Sequence, residues 1–182
     1  MKGTLNLDEA SIIALVRAGN TDAFADIVEH YQTPIQRYLY RLTGEHELTK
    51  DLAQDTFVQA YMGILKTNAE ISFKAWLYRI ATNTAFQHYR RKRIISFIPF
   101  SALKEERLPS AYCGDETEEN MAIQETLSKV PTEQRLCLVL HLVEGFKYRE
   151  IAETLNISED AVRMRVTRGK EAFQKVHRGG KV

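Results

Sequence analysis

Arginine and lysine side chains are concentrated in the last amphipathic segment of the chain, residues 158–177. An arginine can donate two hydrogen bonds to the edge of one guanine, and both residue types bind phosphate groups. Val162, Val166, Gly169 and Phe173 recur at spacings of three and four, which predicts a helix with one buried stripe. The other faces of this helix are therefore a candidate DNA-binding surface, with a solvated charged face as the alternative.

A shorter amphipathic segment, residues 148–155, precedes this helix and is separated from it by a turn at Asn156. Two short helices joined by a tight turn are typical of the helix-turn-helix, which places its second helix in the major groove of DNA. Ser158 is expected to cap the second helix, where Glu159 and Asp160 suit the positive end of the helix dipole. The last third of the chain is thus predicted to read DNA.

A second basic segment, residues 74–93, contains six basic residues and no acidic residue. It ends in HYRRKR, and we expect the same helix to expose Asn83, Phe86 and Tyr89. Aromatic rings among basic side chains form a surface on which unpaired bases stack, at roughly 1–3 kcal/mol per base. A core helix with a solvated basic end is the alternative interpretation.

Asp51, Asp55 and Gln59 lie four residues apart on one side of a predicted third helix. Two carboxylates without a histidine partner make a poor metal site, so a solvated or protein-binding face is the better interpretation. The sequence shows no serine–histidine–acid set, no phosphate-binding glycine loop and no HExxH motif. It therefore predicts no enzyme, no metal or other cofactor, and no small-molecule substrate.

The net charge of +1 conceals a segregation of charge along the chain. Residues 22–70 carry four basic and eight acidic side chains, and residues 102–120 carry two and six. Between and after them lie the basic segment 74–93 and the segment 158–178, which has six basic and three acidic residues. Two basic patches separated by acidic segments predict two separate contacts with a polyanion.

The length of 182 residues allows one ordinary domain or two small ones. No apolar run approaches the roughly 20 residues that cross a bilayer, and the first residues show no export signal. A cytoplasmic location without membrane insertion is therefore expected. Cys113 and Cys137 form no CxxC motif and are expected to form neither a disulfide nor a zinc site.

Hydrophobic spacing predicts helices throughout the chain and no strand. The expected helices cover about 7–18, 21–44, 45–65, 72–93, 117–129, 132–144, 148–155 and 158–177. Residues 96–117 contain prolines, a glycine and an acidic run without a clean period, and are expected to form a flexible linker. The predicted fold class is all-α, with one small helical domain at 1–95 and another at 118–182.

Three segments together resemble the extracytoplasmic-function (ECF) group of σ factors, the minimal bacterial initiation factors of the σ-70 family. They are DLAQDTFVQAY at 51–61, FKAWLYRIATNTAFQHYRRKR at 73–93, and VPTEQRLCLVLHLVEGFKYREIAETLNISEDAVRMRVTRGKEAF at 130–173. They occur in the order of that family, with the acidic linker between the second and third. Many regulators share a helix-turn-helix, so the specificity comes from its combination with DLAQDTF and AWLYRIATN.

The resemblance implies a factor without catalytic activity that binds core RNA polymerase and promoter DNA, and whose further partner is an anti-σ factor. The surface that docks on polymerase would comprise Asp51, Gln54, Asp55 and Gln59. The first domain would read the −10 element, with candidate contacts at Lys66, Asn68, Ser72, Lys74, Arg79, Asn83, Phe86, Gln87, Tyr89, Arg90 and Arg91.

The second domain would read the −35 element, with candidate contacts at Tyr148, Arg149, Ser158, Asp160, Arg163, Met164, Arg165, Thr167, Arg168 and Lys170. Of these, Arg163, Met164, Thr167 and Arg168 are the candidates for base contacts, whereas Tyr148 and Arg149 would contact phosphate. Met164 and Gly169 depart from the family pattern, which usually has a small polar residue and alanine there. The alternative function is a helix-turn-helix regulator that acts as a dimer without docking on polymerase.

Overall fold

The computed structural model describes residues 9–65, 72–96 and 118–179, and within these ranges the fold is all-α, as predicted. The helices are α1 (Glu9–Arg17), α2 (Ala23–Thr43), α3 (His46–Ile64), α4 (Phe73–Ser96), α5 (Glu118–Ser128), α6 (Thr132–Leu142), α7 (Tyr148–Leu155) and α8 (Glu159–Gly179). Helix α4 runs three residues past its expected end, to Ser96. The remainder of the predicted linker lies outside the described residues.

Short polar residues and left-handed turns set the helix ends. The Oγ atoms of Ser72 and Ser158 accept hydrogen bonds of 3.2 Å from the backbone N–H groups of Ala75 and Ala161, as expected of caps. Gly44 follows α2 with φ 73°, a backbone conformation that glycine adopts without steric cost. The boundaries of α2, α4 and α8 are therefore local properties of the sequence.

The expected cap of α2 at Thr21 is wrong. Instead, Oδ1 of Asn20 accepts a hydrogen bond of 3.3 Å from the backbone N–H of Ala23. The backbone of Asp22 is already helical, with φ −67° and ψ −30°, so the chain turns before α2 formally begins. This early turn places Asn20 three residues before the N–H that needs an acceptor, the usual spacing of a capping side chain.

Helices α1–α4 form one group around a core contributed mainly by α2, α3 and α4. Its fully buried side chains include Ile27, Ile35, Tyr38, Leu39, Leu77 and Tyr78. The hydroxyl of Tyr38 hydrogen-bonds to the buried Thr82 hydroxyl at 2.7 Å, which satisfies both polar groups inside the core. At Gly63 a Cβ would lie only 2.7 Å from the Trp76 ring, so glycine allows α3 and α4 to approach each other there.

Helices α5–α8 form the second group, in which α8 packs mainly on α6 and α7. Its core contains Leu136, Leu140, Ile151, Val162 and Val166, and the predicted buried stripe of α8 is confirmed. Gly169 extends this stripe, where a Cβ would lie 3.1 Å from the backbone oxygen of Gln134 in α6. Cys137 is also buried, and burial raises the pKa of its thiol to about 11, as befits a core residue.

The two helix groups contact each other. Helix α4 packs against α7, and α2 packs against α5 and α6. The amide of Gln124 in α5 donates a hydrogen bond of 3.0 Å to the backbone oxygen of Tyr40 in α2. Hydrophobic periodicity predicts the helices of each group but does not predict this contact between the two groups.

Candidate nucleic-acid interface

One face of α8 is well placed to enter a DNA groove. Arg163, Met164, Thr167 and Arg168 are all exposed there, on the side of the helix away from the buried Val162 and Val166. The side chain of Arg163 is 64% exposed and lies 3.7 Å from Asp160, at a solvated surface. We call these four exposed residues the recognition face. Their side chains can reach base edges without disturbing the core.

Arg165, another predicted DNA contact on α8, occupies a different environment. Its Nη2 lies 2.7 Å from a carboxylate oxygen of Glu133 in α6, and its side chain is only 28% exposed. Its positive charge, together with a hydrogen bond to the thiol, lowers the pKa of Cys137 and counteracts part of the effect of burial. Arg165 therefore ties α8 to α6, and the structure does not place it with the recognition face.

The remaining predicted contacts of the second domain surround the recognition face. Asp160 and Lys170 are exposed, whereas the Ser158 hydroxyl serves as the helix cap. In α7 the guanidinium of Arg149 is 79% exposed and donates a hydrogen bond of 3.0 Å to Glu153. The ring of Tyr148 packs 4.6 Å from that of His141 and is half-buried. Arg149 is thus the more accessible candidate for a phosphate contact.

A second exposed face runs along α4 and combines cations, amides and an aromatic ring. Phe86 is 40% exposed although it is a large apolar residue. Unpartnered exposed aromatic rings beside cations suit the stacking of unpaired bases. We call this surface the stacking face, and it comprises Arg79, Asn83, Phe86, Gln87 and Arg90, with Arg91 beside it.

Lys74 and Tyr89 do not belong to the stacking face. The Nζ of Lys74 donates a hydrogen bond of 2.7 Å to the backbone oxygen of Glu144 and lies 4.8 Å from the centre of the Phe146 ring. Tyr89 is half-buried, and burial together with the nearby charge of Glu45 raises its pKa to about 12. The expectation that Tyr89 is exposed beside Asn83 and Phe86 is therefore wrong in this arrangement.

Lys74 lies on the side of α4 that meets the second helix group, and the charge of Arg135 in α6 acts on Tyr89. The sequence does not predict this environment because it depends on contacts between residues far apart in the chain. Ser72 is exposed and caps α4. Lys66 and Asn68, the other candidates for the −10 element, lie outside the described residues.

A third exposed face lies on α3. Asp51, Gln54, Asp55 and Gln59 are all exposed there, and we call them the acidic face. The amide of Gln59 donates a hydrogen bond of 3.2 Å to the Thr84 hydroxyl in α4, so the acidic face adjoins the helix that carries the stacking face.

A groove of about 620 Å³ between α2 and α3 borders the acidic face. Gln54 belongs to both, and the groove also contains Val58 and Met62, which are 54% and 57% exposed. The sequence interpretation missed these two apolar residues. The sequence contained a signal for this exposed apolar surface. Phe57 and Val58 are adjacent apolar residues, as are Tyr61 and Met62. Because one buried helix face cannot cover two adjacent residues, one member of each pair is expected to be exposed.

Within the residues that the structure describes, no group of histidine, cysteine, aspartate and glutamate side chains is arranged to hold a metal ion. In the same residues no helix is both long enough and apolar enough to cross a membrane.

In a comparison with known proteins, one family model matches each half of the chain. The family model "Sigma-70 region 2" matches residues 27–94, and "Sigma-70, region 4" matches residues 120–173. The chain is 33% identical to the ECF RNA polymerase sigma factor SigW of Bacillus subtilis over 90% of this chain and 93% of that protein. It is 30% identical to the RNA polymerase sigma-H factor of Pseudomonas aeruginosa over 92% of each.

The fold agrees with solved structures of this class. The sigma factor RpoE of Bartonella quintana, solved with the anti-sigma factor NepR, has a TM-score of 0.73 at 19% identity and covers 84% of this chain and 95% of its own. CnrH, solved with the cytosolic domain of CnrY, has a TM-score of 0.69 at 24% identity and covers 91% and 94%. The chain therefore belongs to the ECF group of the σ-70 family and is a promoter-recognising RNA polymerase σ factor, an initiation factor and not an enzyme.

Proposed function

We propose that this σ factor divides its work among the three faces described above. The acidic face and the neighbouring groove bind core RNA polymerase, the stacking face engages the −10 element, and the recognition face reads the −35 element. The observation that carries this division is the exposure of all three faces on separate helices whose opposite sides are buried. The corresponding domains would be residues 1–95 and 118–182, joined by the linker 96–117.

The −10 element would be engaged as unpaired bases. Extracting a base from the duplex costs a few kcal/mol of stacking and pairing, and contacts in a protein pocket offset that cost. Phe86 offers a ring for stacking, Asn83 offers an amide for hydrogen bonds, and Arg79 and Arg90 offer charge to the phosphates. Lys66 and Asn68 precede α4 in the sequence and remain candidates for the same element.

The −35 element would be read as duplex DNA in the major groove. Arg163 and Arg168 can donate paired hydrogen bonds to guanine, and the apolar Met164 suits a thymine methyl group. Thr167 can make either polar or methyl contacts. Arg149, at the start of α7, would fix the register on the phosphate backbone without reading sequence.

Core polymerase would dock on α3. The carboxylates of Asp51 and Asp55 supply charge for steering and register, and the exposed Val58 and Met62 supply apolar surface that a partner can cover. Asp55→Arg should weaken the binding of core polymerase about 30-fold, since it reverses the charge at the centre of this face. Asp26→Arg, an exposed position on α2, is the matched control. Equal affinity of the two variants in a binding titration would remove the acidic face from the docking surface.

The direct test of the proposed function is run-off transcription on genomic DNA with core polymerase, with and without this protein. We expect new transcripts that begin downstream of a shared pair of −10 and −35 sequences. Substituting Arg163 or Phe86 should change the set of transcripts, because each lies on one of the two DNA-facing surfaces. Promoters that respond to neither substitution would contradict the assignment of the faces.

We further propose that the protein acts in the cytoplasm, where its DNA and polymerase partners reside, and that an anti-σ factor controls it. This partner is suggested by the structures of similar fold that were solved with an anti-sigma factor or with a cytosolic domain bound. Adding the product of a neighbouring gene to the run-off reaction tests the idea. Loss of the new transcripts would identify the inhibitor.

A further inference from the structure

The last two turns of α8 carry two basic side chains without an ionic partner in the part of the chain that the structure describes. Lys175 and Arg178 are both exposed, and neither takes part in an ion pair there. Glu171 lies one turn before Lys175, at a spacing that allows such a pair, yet the two are not joined. Both cations are therefore available to a partner outside the chain.

A solvated helix end does not explain both of these cations. Lys129 in α5 shows the usual alternative, because it pairs at 3.2 Å with Glu125, four residues earlier on the same helix. The helix dipole favours cations in the last turn, which accounts for Arg178. It does not account for Lys175, which precedes that turn.

The two cations continue the recognition face along α8. Arg178 follows Thr167 by eleven residues, and Lys175 follows Arg168 by seven. These spacings are close to three and two whole turns of an α-helix, so the members of each pair share one side of α8. The exposed surface that begins at the recognition face thus extends to the end of the helix.

The end of α8 is held in place by its buried side. Phe173 is half-buried and packs against the hydrophobic core. The ring of His177 stacks on the ring of Phe173, with the centroids 6.0 Å apart and an angle of 12° between the planes. The core therefore sets the direction of the segment that carries the cations, and little backbone order has to be gained on binding.

The length of α8 takes Lys175 and Arg178 past the groove that the recognition face would enter. From Asp160 to Arg168 the helix rises about 12 Å, which is about the width of the major groove of B-DNA. The two cations lie about 10–15 Å farther along the axis. Phosphates line both edges of the groove, and in homeodomains the C-terminal end of the recognition helix contacts the DNA backbone.

We propose that Lys175 and Arg178 form a phosphate clamp, which binds the DNA backbone beside the −35 element without reading its sequence. This proposal rests on the proposed reading of that element by the recognition face. Each phosphate contact releases condensed counterions, so the clamp adds affinity that is independent of sequence and falls as salt rises. It also fixes the orientation of α8 in the groove, because it contacts the backbone at a second place.

The test measures how salt affects the binding of the full-length protein to DNA. The probe is a fluorescent duplex of random sequence, about 30 base pairs long, titrated by anisotropy between about 50 and 200 mM NaCl. Lys175→Gln and Arg178→Gln, introduced together, should lower the affinity at each salt concentration. They should also reduce the slope of log K against log salt by about 1.8, since each phosphate contact contributes about 0.9.

Two further double variants are the matched controls. Arg37→Gln with Lys129→Gln removes the same charge from exposed positions of α2 and α5 and should keep the wild-type slope. Lys175→Arg with Arg178→Lys keeps both charges and should keep that slope as well, because the contact needs a cation at each position. An unchanged slope in the Lys175→Gln, Arg178→Gln protein would overturn the clamp. An equal loss in the first control, or no binding of the duplex by the wild type, would do the same.

Run-off transcription with core polymerase separates the clamp from the proposed function. The Lys175→Gln, Arg178→Gln protein should give the wild-type set of transcripts but lose them at a lower salt concentration, since the clamp reads no sequence. A changed set of transcripts would show base reading and reject the clamp. If the wild type gives no transcripts, the proposed function fails, whereas the duplex titration still decides on the clamp. An unchanged DNA slope with weaker binding of core polymerase would reject the clamp and assign the two cations to a protein contact.

Discussion

Helices α4 and α8 are both basic and both carry predicted DNA contacts, yet they are packed differently. Helix α8 rests on α6 and α7 along one stripe and exposes the whole recognition face. Helix α4 packs against α2 and α3 on one side and against α7 on another, so part of its basic surface is used within the protein. Position in the fold, not basic composition, thus decides which cations are available to DNA.

The comparison is sharpest at two arginines of α8 that are two residues apart. Arg163→Ala should cost roughly 2 kcal/mol of binding at one position of the −35 element and leave folding unchanged, since the side chain is solvated. Arg165→Ala should lower the free energy of unfolding by about 1 kcal/mol, because it breaks the contact with Glu133, and should spare sequence preference.

Urea denaturation and binding to a panel of single-base promoter variants distinguish these outcomes. A uniform loss of affinity across the panel in Arg163→Ala would show that Arg163 contacts phosphate. A change of base preference in Arg165→Ala would show that this side chain leaves α6 when DNA binds.

On α4 the exposed Phe86 can be compared with the half-buried Tyr89 in the same way. Phe86→Ala should weaken promoter opening by about 1.5 kcal/mol, since the exposed ring is lost as a stacking platform. The fluorescence of 2-aminopurine placed in the −10 element of a promoter found by run-off transcription measures this opening. Tyr89→Ala serves as the comparison, because that residue is half-buried.

A smaller effect of Tyr89→Ala would support the division of α4 into a free side and an interface side. A loss as large as that of Phe86→Ala would mean that Tyr89 reaches DNA once the two helix groups separate.

The smallest effects are expected at two glycines, one in each helix group. Gly63→Ala should destabilise the protein by about 1 kcal/mol, because the new methyl group would press against the Trp76 ring. Gly169→Ala meets a backbone oxygen at 3.1 Å, and the better helix propensity of alanine, roughly 1 kcal/mol, should nearly cancel that strain. Thermal unfolding of both variants measures the difference.

A stabilised Gly169→Ala variant would show that α6 and α8 can separate slightly without loss of packing. It would also explain how alanine can be the usual residue there in the family that the sequence resembles. An increase in stability in Gly63→Ala would contradict the close approach of α3 and α4.

The amino-acid sequence by itself determined the helices, the caps of α4 and α8, and many of the inward-facing residues. Periodicity placed Val162 and Val166 in the core of α8, and Ser72 and Ser158 at helix starts, because these features depend on residues within one or two turns. The three segments of family resemblance were likewise sufficient to identify a σ factor. The acidic face, the stacking face and the recognition face were each predicted as surfaces of single helices.

Only the tertiary structure decided how those surfaces are used within the molecule. Arg165 pairs with Glu133, Lys74 hydrogen-bonds to Glu144, and Tyr89 is half-buried, with the charge of Arg135 in α6 acting on it. The groove beside Val58 likewise exists only because α2 and α3 pack side by side. Such contacts join residues far apart in the chain, and local periodicity carries no information about which distant helix will supply the neighbour of an exposed side chain.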